Sequence, residues 1–280
     1  MQAKASQETD LLTLLKELSP DSSMSTLRSW IEKGRVCVDG KVVARAKLMI
    51  KPGQEVKVGP RVHFIRGGIK ILFEDEHLVV IEKPEGLLSV ATDSPTNPSA
   101  HDLLKRHFQG QRVFPVHRLD RETSGVMLFA YSEASRDYFK EQFEQRLIEK
   151  IYYAVVEGKV ANKQGTWKSY LKEDEAYYVR STPWENEGKL AVTHYELEAQ
   201  NRRFALIRFH LETGRKNQIR VHCQDAGIPI VGDKKYGSKC NPIKRMALHS
   251  QKISFKHPIT KKQMTFEVAF PHSFSKLVNL

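Results

Sequence analysis

"VFPVHRLDRETSGVMLFA", residues 113–130, sets an apolar approach (Val113, Phe114, Val116) before a second apolar run, Val126 to Ala130, with a charged loop between them. Five of the six residues 117–122 are charged or ionisable, and Gly125 closes the loop. The two apolar runs read as strands of a sheet, and the loop between them holds two carboxylates, Asp120, next to Leu119, and Glu122. An aspartate in that position is a turn residue, a cap, or a carboxylate kept for chemistry. The residues themselves leave these three open.

Working outward, strands dominate the chain from Ile69 onward. "IKILFEDEHLVVIEKPEG" gives two apolar runs broken by "EDEH" and ended by Pro84 and Gly86. "AHDLLKRHF" reads as a helix after the turn-rich "TDSPTNPS", and Ser132 caps a second helix in which Phe139, Phe143 and Leu147 recur on one face. "KIYYAVVEG" is a strand, "AVTHYELEA" and "RFALIRFHLE" are neighbouring strands, and "QKISFKHPITKKQMTFEVAF" is a hairpin around Pro258 to Lys262. The fold class expected is α+β, with a mixed, mostly antiparallel sheet and few helices.

The first 60 residues read differently. Asp10 caps a short helix whose Leu11, Leu14, Leu15 and Leu18 share a face, with Pro20 just past its end. "SSMSTLRSWIEKG" gives a second helix stopped by Gly34. "RVCVDGKVV" alternates about Asp39-Gly40, a dipeptide suited to a tight hairpin because both central residues take positive φ. "LMIKPGQEVKVG" adds a turn at Pro52-Gly53 and one more strand. The expected division is a small α+β domain over 1–60, a linker over 61–68 marked by Pro and Gly-Gly, and a larger domain over 69–280.

Composition limits the function classes. Forty per cent hydrophobic residues with 28% charged is the balance of a folded globular chain rather than a disordered one. No apolar run approaches the roughly 18 residues of a membrane span, and "MQAKASQETD" has no signal-peptide core, so a cytoplasmic protein without membrane attachment is expected. Cys37, Cys223 and Cys240 form no CxxC pair and read as free thiols, with no metal site. A net charge of +12, of which +3 falls on residues 1–60 and +9 on the rest, makes nucleic acid the first partner to test.

Two resemblances sharpen this. "LRSWIEKGRVCVDGKVV" followed by "KPGQEVKV" is similar to the small RNA-binding module of ribosomal protein S-four type, which implies RNA contact through the basic second helix and the following loop, here Arg28, Lys33 and Arg35. "EKPEGLLSV" (82–90), the opening "HRLDRETSG" (117–125), "EKIYYAVVEG" (149–158), "LETGRKNQIRVH" (211–222) and the late "MALHSQKISFKHPITKK" resemble, in order and spacing, the motifs of RluA-like RNA pseudouridine synthases. That likeness covers the chain from about Ile69 to its C-terminus.

The second resemblance implies roles. Asp120 is the catalytic carboxylate that attacks a uridine, on the ribose or on the ring. Arg215 is expected to ion-pair with it and hold its charge against desolvation, the alternative being a phosphate contact. Tyr152 stacks on the target base, and its hydroxyl assists proton removal at carbon five, the alternative being a core tyrosine; Tyr153 is expected on the other face of the strand. Arg118 fills the gap left by the flipped nucleotide. Ile219, expected on the strand carrying Arg215, walls the base. His117 reads as structural, and Lys83 and Pro84 as a strand-ending pair.

Where the family usually carries His, this chain carries Asn217, which hydrogen-bonds but cannot titrate. The implied reaction is a net isomerisation, with no cofactor, and the extra N-terminal module points to large-subunit ribosomal RNA as substrate, acted on by a monomer. A non-catalytic RNA-binding ribosome-assembly factor is the alternative, and a metal-dependent nuclease through Asp120 the second, though the latter normally needs several converging carboxylates.

Overall fold

The computed structural model describes residues 1–32, 35–39, 41–43, 45–59, 63–92 and 98–280. It divides into two units, Met1–His63 and Phe64–Leu280.

In the first unit, strand β1 (Gln2–Lys4) and the short β2 (Thr9–Asp10) lead into helices α1 (Leu11–Leu18) and α2 (Met24–Glu32), then β3 (Val36–Val38), β4 (Lys41–Val42), β5 (Met49–Ile50) and β6 (Glu55–Val58). Asp10 starts α1 by accepting from the Thr13 amide at 3.1 Å. The bond from the Thr13 hydroxyl, more than the backbone bonds, holds its carboxyl below the usual range. Burying Leu11, Leu14, Leu15, Leu27 and Ile31 against Val36 and Val56 joins the helices to a sheet ordered β1-β6-β3-β4. The N-terminal strand β1 had no clear sequence signal; it forms because β6 offers it an edge, paired at Gln2–Lys57 through Lys4–Glu55. Arg28 is exposed on α2. Arg35 places its guanidinium 4.7 Å over Trp30 and donates from Nε and Nη2 to Gly59 O, so much of its fork fastens this unit's own backbone. Lys33, and Gly34 and Gly40 with it, lie outside the described residues.

Of the stretch expected as a linker, 61–68, the described residues 63–68 carry structure: β7 (His63–Ile65) runs into a 3-10 turn over Arg66–Gly68. The second unit continues with β8 (Ile69–Glu74), β9 (Leu78–Lys83), α3 (Ala100–His107), β10 (Phe114–Pro115), β11 (Ser124–Ala130), α4 (Glu133–Glu144) and β12 (Glu149–Glu157). Then come β13 (Gln164–Glu173), β14 (Val179–Thr182), β15 (Lys189–Gln200), β16 (Phe204–Leu211), α5 (Gln218–Asp225), β17 (Leu248–Lys256), β18 (Gln263–Glu267) and α6 (His272–Val278). The sheet runs β14-β13-β15-β16-β12-β17-β11-β9-β8-β7, with β10 on β11 and β18 on β17. From β14 to β8 the neighbours are antiparallel except β11 and β17, which run parallel through Ser124–His249 and Gly125–Ser250.

The central strands are apolar without a break because they are covered on both faces. In β11, Met127 and Phe129 join one core with Leu103, Ile219 and Phe274, while Val126, Leu128 and Ala130 join another with Phe139 of α4 and Phe255. The helical stripe expected to reach Leu147 ends early. Helix α4 stops at Glu144, Arg146 takes a left-handed φ of 59°, and Leu147 is left 59% exposed.

Candidate active site

The quoted stretch is a hairpin: β10 pairs with the far end of β11 at Phe114–Ala130 and Pro115–Phe129, so residues 116–123 form a loop at the sheet's centre. Three bonds fix it. The Leu128 amide donates to His117 Nε2 at 3.0 Å, and burial, with the Lys150 charge nearby, keeps that ring neutral down to about 3. Ser89 clamps Leu119, accepting from its amide at 3.0 Å and donating to its carbonyl at 2.7 Å. The Thr123 amide closes the turn on Asp120 O at 3.1 Å. Beneath the loop, the wholly buried Lys83 donates to the carbonyls of Pro84 (2.9 Å), Leu87 (2.7 Å) and Arg121 (3.3 Å). Desolvation pulls its ammonium down to about 7, against the pull of Glu122 and Asp120.

Asp120, so held, lines a shallow cavity of about 60 Å³ with Arg118, Tyr152, Arg215, Asn217, Ile219 and Arg220. The structure therefore gathers Asp120, Tyr152, Arg215, Arg118 and Ile219 at one place. Arg28 and Arg35 belong to the other unit.

The ion pair is a correction. Arg220, not Arg215, meets the carboxylate, with Nη1 3.1 Å from Asp120 Oδ2. Arg215 is anchored elsewhere, its Nε donating to Leu190 O at 2.9 Å and its amide to Gln218 Oε1 at 3.0 Å. The reason is a second correction: Ile219 lies on a helix, not on the strand. Strand β16 ends at Leu211, the chain turns through Gly214, and Asn217 takes a left-handed φ of 54° that opens α5 at Gln218. The turn leaves Arg215 on the outside, whereas Arg220, inside the first turns of α5, points into the core at 7% exposure.

Arg220 also grips Asp233, Nε to Oδ2 at 2.7 Å and Nη2 to Oδ1 at 2.8 Å, and lies 4.7 Å over the ring of Tyr236. Tyr236 in turn donates to Asn217 Oδ1 at 3.1 Å, which orients the amide so that Nδ2 donates to Asp120 Oδ2 at 2.6 Å. Both donors converge on Oδ2. Among the described residues none bonds Oδ1, so the site presents one oxygen fixed and one unengaged.

Tyr152 sits where the β12–β17 register slips, opposite Ser250, and its hydroxyl is buried. Burial pushes that hydroxyl up to about 12, and the Asp120 charge acts the same way, so it stays protonated near neutrality. Tyr153 faces other partners, stacking on Phe270 at 4.7 Å and donating to Glu198 at 3.1 Å. Among the described residues no cluster of His, Cys, Asp and Glu is arranged to hold a metal ion.

Arg220 lies in the stretch 211–222 quoted above, which gave it no role, and Gln218, Asp233 and Tyr236 were passed over. An arginine between Ile219 and Val221, at the start of a helix, was the available signal, since a charge among core residues requires a partner. Gln218 is buried and ties the turn together, accepting from Thr213 Oγ1 at 2.7 Å and donating to Val192 O and Thr193 Oγ1.

With this geometry in hand, comparison with known proteins gives one picture. Residues 77–225 match the model of the family described as RNA pseudouridylate synthase, and residues 11–56 that of the S4 domain. The chain is similar to the Bacillus subtilis RNA pseudouridine synthase YhcT, 32% identical over 95% of this chain and 90% of that one. It is also similar to ribosomal large subunit pseudouridine synthase D of Pseudomonas aeruginosa, 31% identical over 94% of this chain and 89% of the other. In fold, it resembles human RNA pseudouridylate synthase domain containing 4, at a TM-score of 0.60 and 24% identity over 73% of this chain and 89% of that one.

Proposed function

The chain belongs to the RNA pseudouridylate synthase family, and from that premise we propose that it converts specific uridines of large-subunit ribosomal RNA to pseudouridine with Asp120 as nucleophile. The reaction breaks the bond between ribose and ring nitrogen one, joins the ribose to ring carbon five, and moves the carbon-five proton out while nitrogen one gains one. Nothing is oxidised or reduced.

The observation that carries this reading is the asymmetry of Asp120. Its Oδ2 takes the amide of Asn217 and the guanidinium of Arg220, while Oδ1 is unengaged among the described residues. A carboxylate fixed by two donors at one oxygen, and placed beside an aromatic ring, has the form of a positioned nucleophile under a stacked base. Tyr152 supplies the ring and Ile219 an apolar wall. The cavity has room for about two waters, so a base enters only once the exposed rim arginines, Arg118 and Arg215, swing aside. Arg118 then occupies the stack from which the uridine has left, offsetting part of an unstacking cost of a few kcal/mol.

The substrate class rests on relatives named as ribosomal large subunit pseudouridine synthases and on the S4 match, with Arg28 exposed on the module's second helix. The test is tritium release from carbon-five-labelled uridine in unmodified large-subunit ribosomal RNA, in the presence of EDTA. Release is expected from the wild type and none above background from Asp120→Asn. RNA binding without release by the wild type would instead support a non-catalytic ribosome-assembly factor.

A further inference from the structure

We propose that a second cleft, beside the Asp120 loop but separate from its cavity, is a subsite for a nucleotide flanking the target uridine. The proposal rests on the synthase reading above and extends it to how the RNA strand is held. The cleft has a volume of about 570 Å³, within the range of small-molecule sites and far larger than the cavity at Asp120. It lies between the Arg66–Gly68 turn, the loop after β9 and helix α3.

Its lining is of two kinds. Leu87, Leu88 and Leu103 give it apolar walls, and the exposed Arg66, Arg106 and Arg121 give it cations. Among the described residues none of these arginines has a carboxylate within ion-pairing distance. The one acidic side chain of the lining, Glu85, is already paired with Arg245 Nε at 2.6 Å. An apolar surface edged by guanidiniums suits a nucleotide: the base packs on the apolar wall or on a guanidinium plane, and the phosphate takes the charge-assisted N–H bonds.

The cleft is built, not incidental. Gly67 has a φ of +78°, which other residues adopt only under strain, and a Cβ there would lie 2.4 Å from Leu103 Cδ1, so glycine suits the turn that sets Arg66 beside α3. It is also mechanically joined to the catalytic loop. Lys83 Nζ bonds the carbonyl of Leu87, in the cleft wall, and that of Arg121, the residue after Asp120, while Arg121 Nε donates to Gly86 O at 3.1 Å. A nucleotide seated here is therefore registered against Asp120 through a few covalent and hydrogen bonds. That supplies the hold on the strand which the small cavity at Asp120 lacks.

The test uses the full-length chain and a short single-stranded oligouridylate, with binding measured by fluorescence anisotropy across a salt series. The double variant Arg66→Ala/Arg106→Ala is compared with Arg202→Ala/Lys256→Ala, which removes two exposed cations outside the cleft. At about 0.7 per phosphate contact in a single strand, the cleft variant should flatten the slope of log affinity against log salt by roughly 1 to 1.5 and weaken binding about tenfold, with the control pair nearly unchanged. A second arm crosslinks 4-thiouridine-substituted ribosomal RNA to the wild type, and the crosslinked peptides should include residues 84–88 or 103–106. Equal flattening in both variants, no flattening in the cleft variant, or crosslinks confined to other peptides would overturn the proposal. Neither arm needs turnover, so loss of the synthase reading in the tritium assay and loss of the subsite are seen separately.

Discussion

At the scale of single residues, two arginines five positions apart have opposite fates, and the difference is testable. Arg220 joins Asp120 to the buried Asp233, so Arg220→Met leaves two carboxylates without their counter-ion. Breaking a buried pair in this way costs about 3–5 kcal/mol, and the variant should show that loss in urea unfolding together with a fall of at least a hundredfold in tritium release. Arg215→Met removes an exposed side chain whose strongest tie is one carbonyl. Its unfolding free energy should stay within about 0.5 kcal/mol of wild type. If the two variants lost stability equally, the assignment of the ion pair to Arg220 would be wrong. Asn217 shows why residue type matters here: the left-handed φ it adopts is one that asparagine tolerates, and its amide offers both the acceptor for Tyr236 and the donor for Asp120.

At the scale of elements, the site depends on how β11, β17 and α5 approach one another. Gly125 has a φ of +120°, and a Cβ on it would fall 2.1 Å from Ser250 O on the parallel neighbour. Gly125→Ala forces β11 and β17 apart; a loss of about 3 kcal/mol or more is expected in chemical denaturation, with activity falling further because the strand starts four residues after Asp120.

Helix α5 is pinned to β15 and β13 by His222, whose Nδ1 is 2.9 Å from Thr193 Oγ1 and whose Nε2 is 3.0 Å from Ser169 Oγ. Burial lowers its pKa to about 4. The unfolded chain takes up a proton near pH 6.5 and the folded chain only near 4, so the stability tied to the neutral ring is complete above 6.5. It is lost as pH falls toward 4, at about 1.4 kcal/mol per pH unit. Urea unfolding between pH 6.5 and 4 should show a slope of which this ring supplies that part, and His222→Gln should flatten it by about that amount, while His249 and His117, held neutral down to about 4 and about 3 in the same way, keep their own shares. A slope unchanged by His222→Gln would show that this ring does not titrate as its burial requires.

At the scale of the whole molecule, the chain holds two units with separate cores, one around Leu11, Leu15, Leu27 and Val56, the other around the central strands. A chain of residues 64–280 should keep a cooperative urea transition, because among the described residues none in its cores comes from the first unit. Its RNA affinity should be weaker and its salt slope flatter by roughly 2, the effect of losing two or three phosphate contacts. An unchanged slope would mean that the N-terminal unit does not bind the RNA electrostatically.

Much of this was legible in the chain itself. The Asp10 cap, the leucine face of α1, the turns at Asp39 and Gly53, and the apolar runs of β9, β11, β12 and β16 are local signals, fixed by periodicity, by φ preferences and by side-chain-to-backbone bonds within a few residues. The resemblance of ordered motifs added the candidate carboxylate and tyrosine. Sequence alone thus determined these elements, the α+β class and the candidates Asp120 and Tyr152. Only the tertiary structure decided which arginine meets Asp120, that Ile219 and Arg220 begin a helix, and that Asp233 and Tyr236 complete the network. Partners 100 and 13 residues from Arg220 are chosen by strand order and by the left-handed turn at Asn217. No local pattern encodes them, because a buried charge is satisfied by whatever the fold brings within about 3 Å.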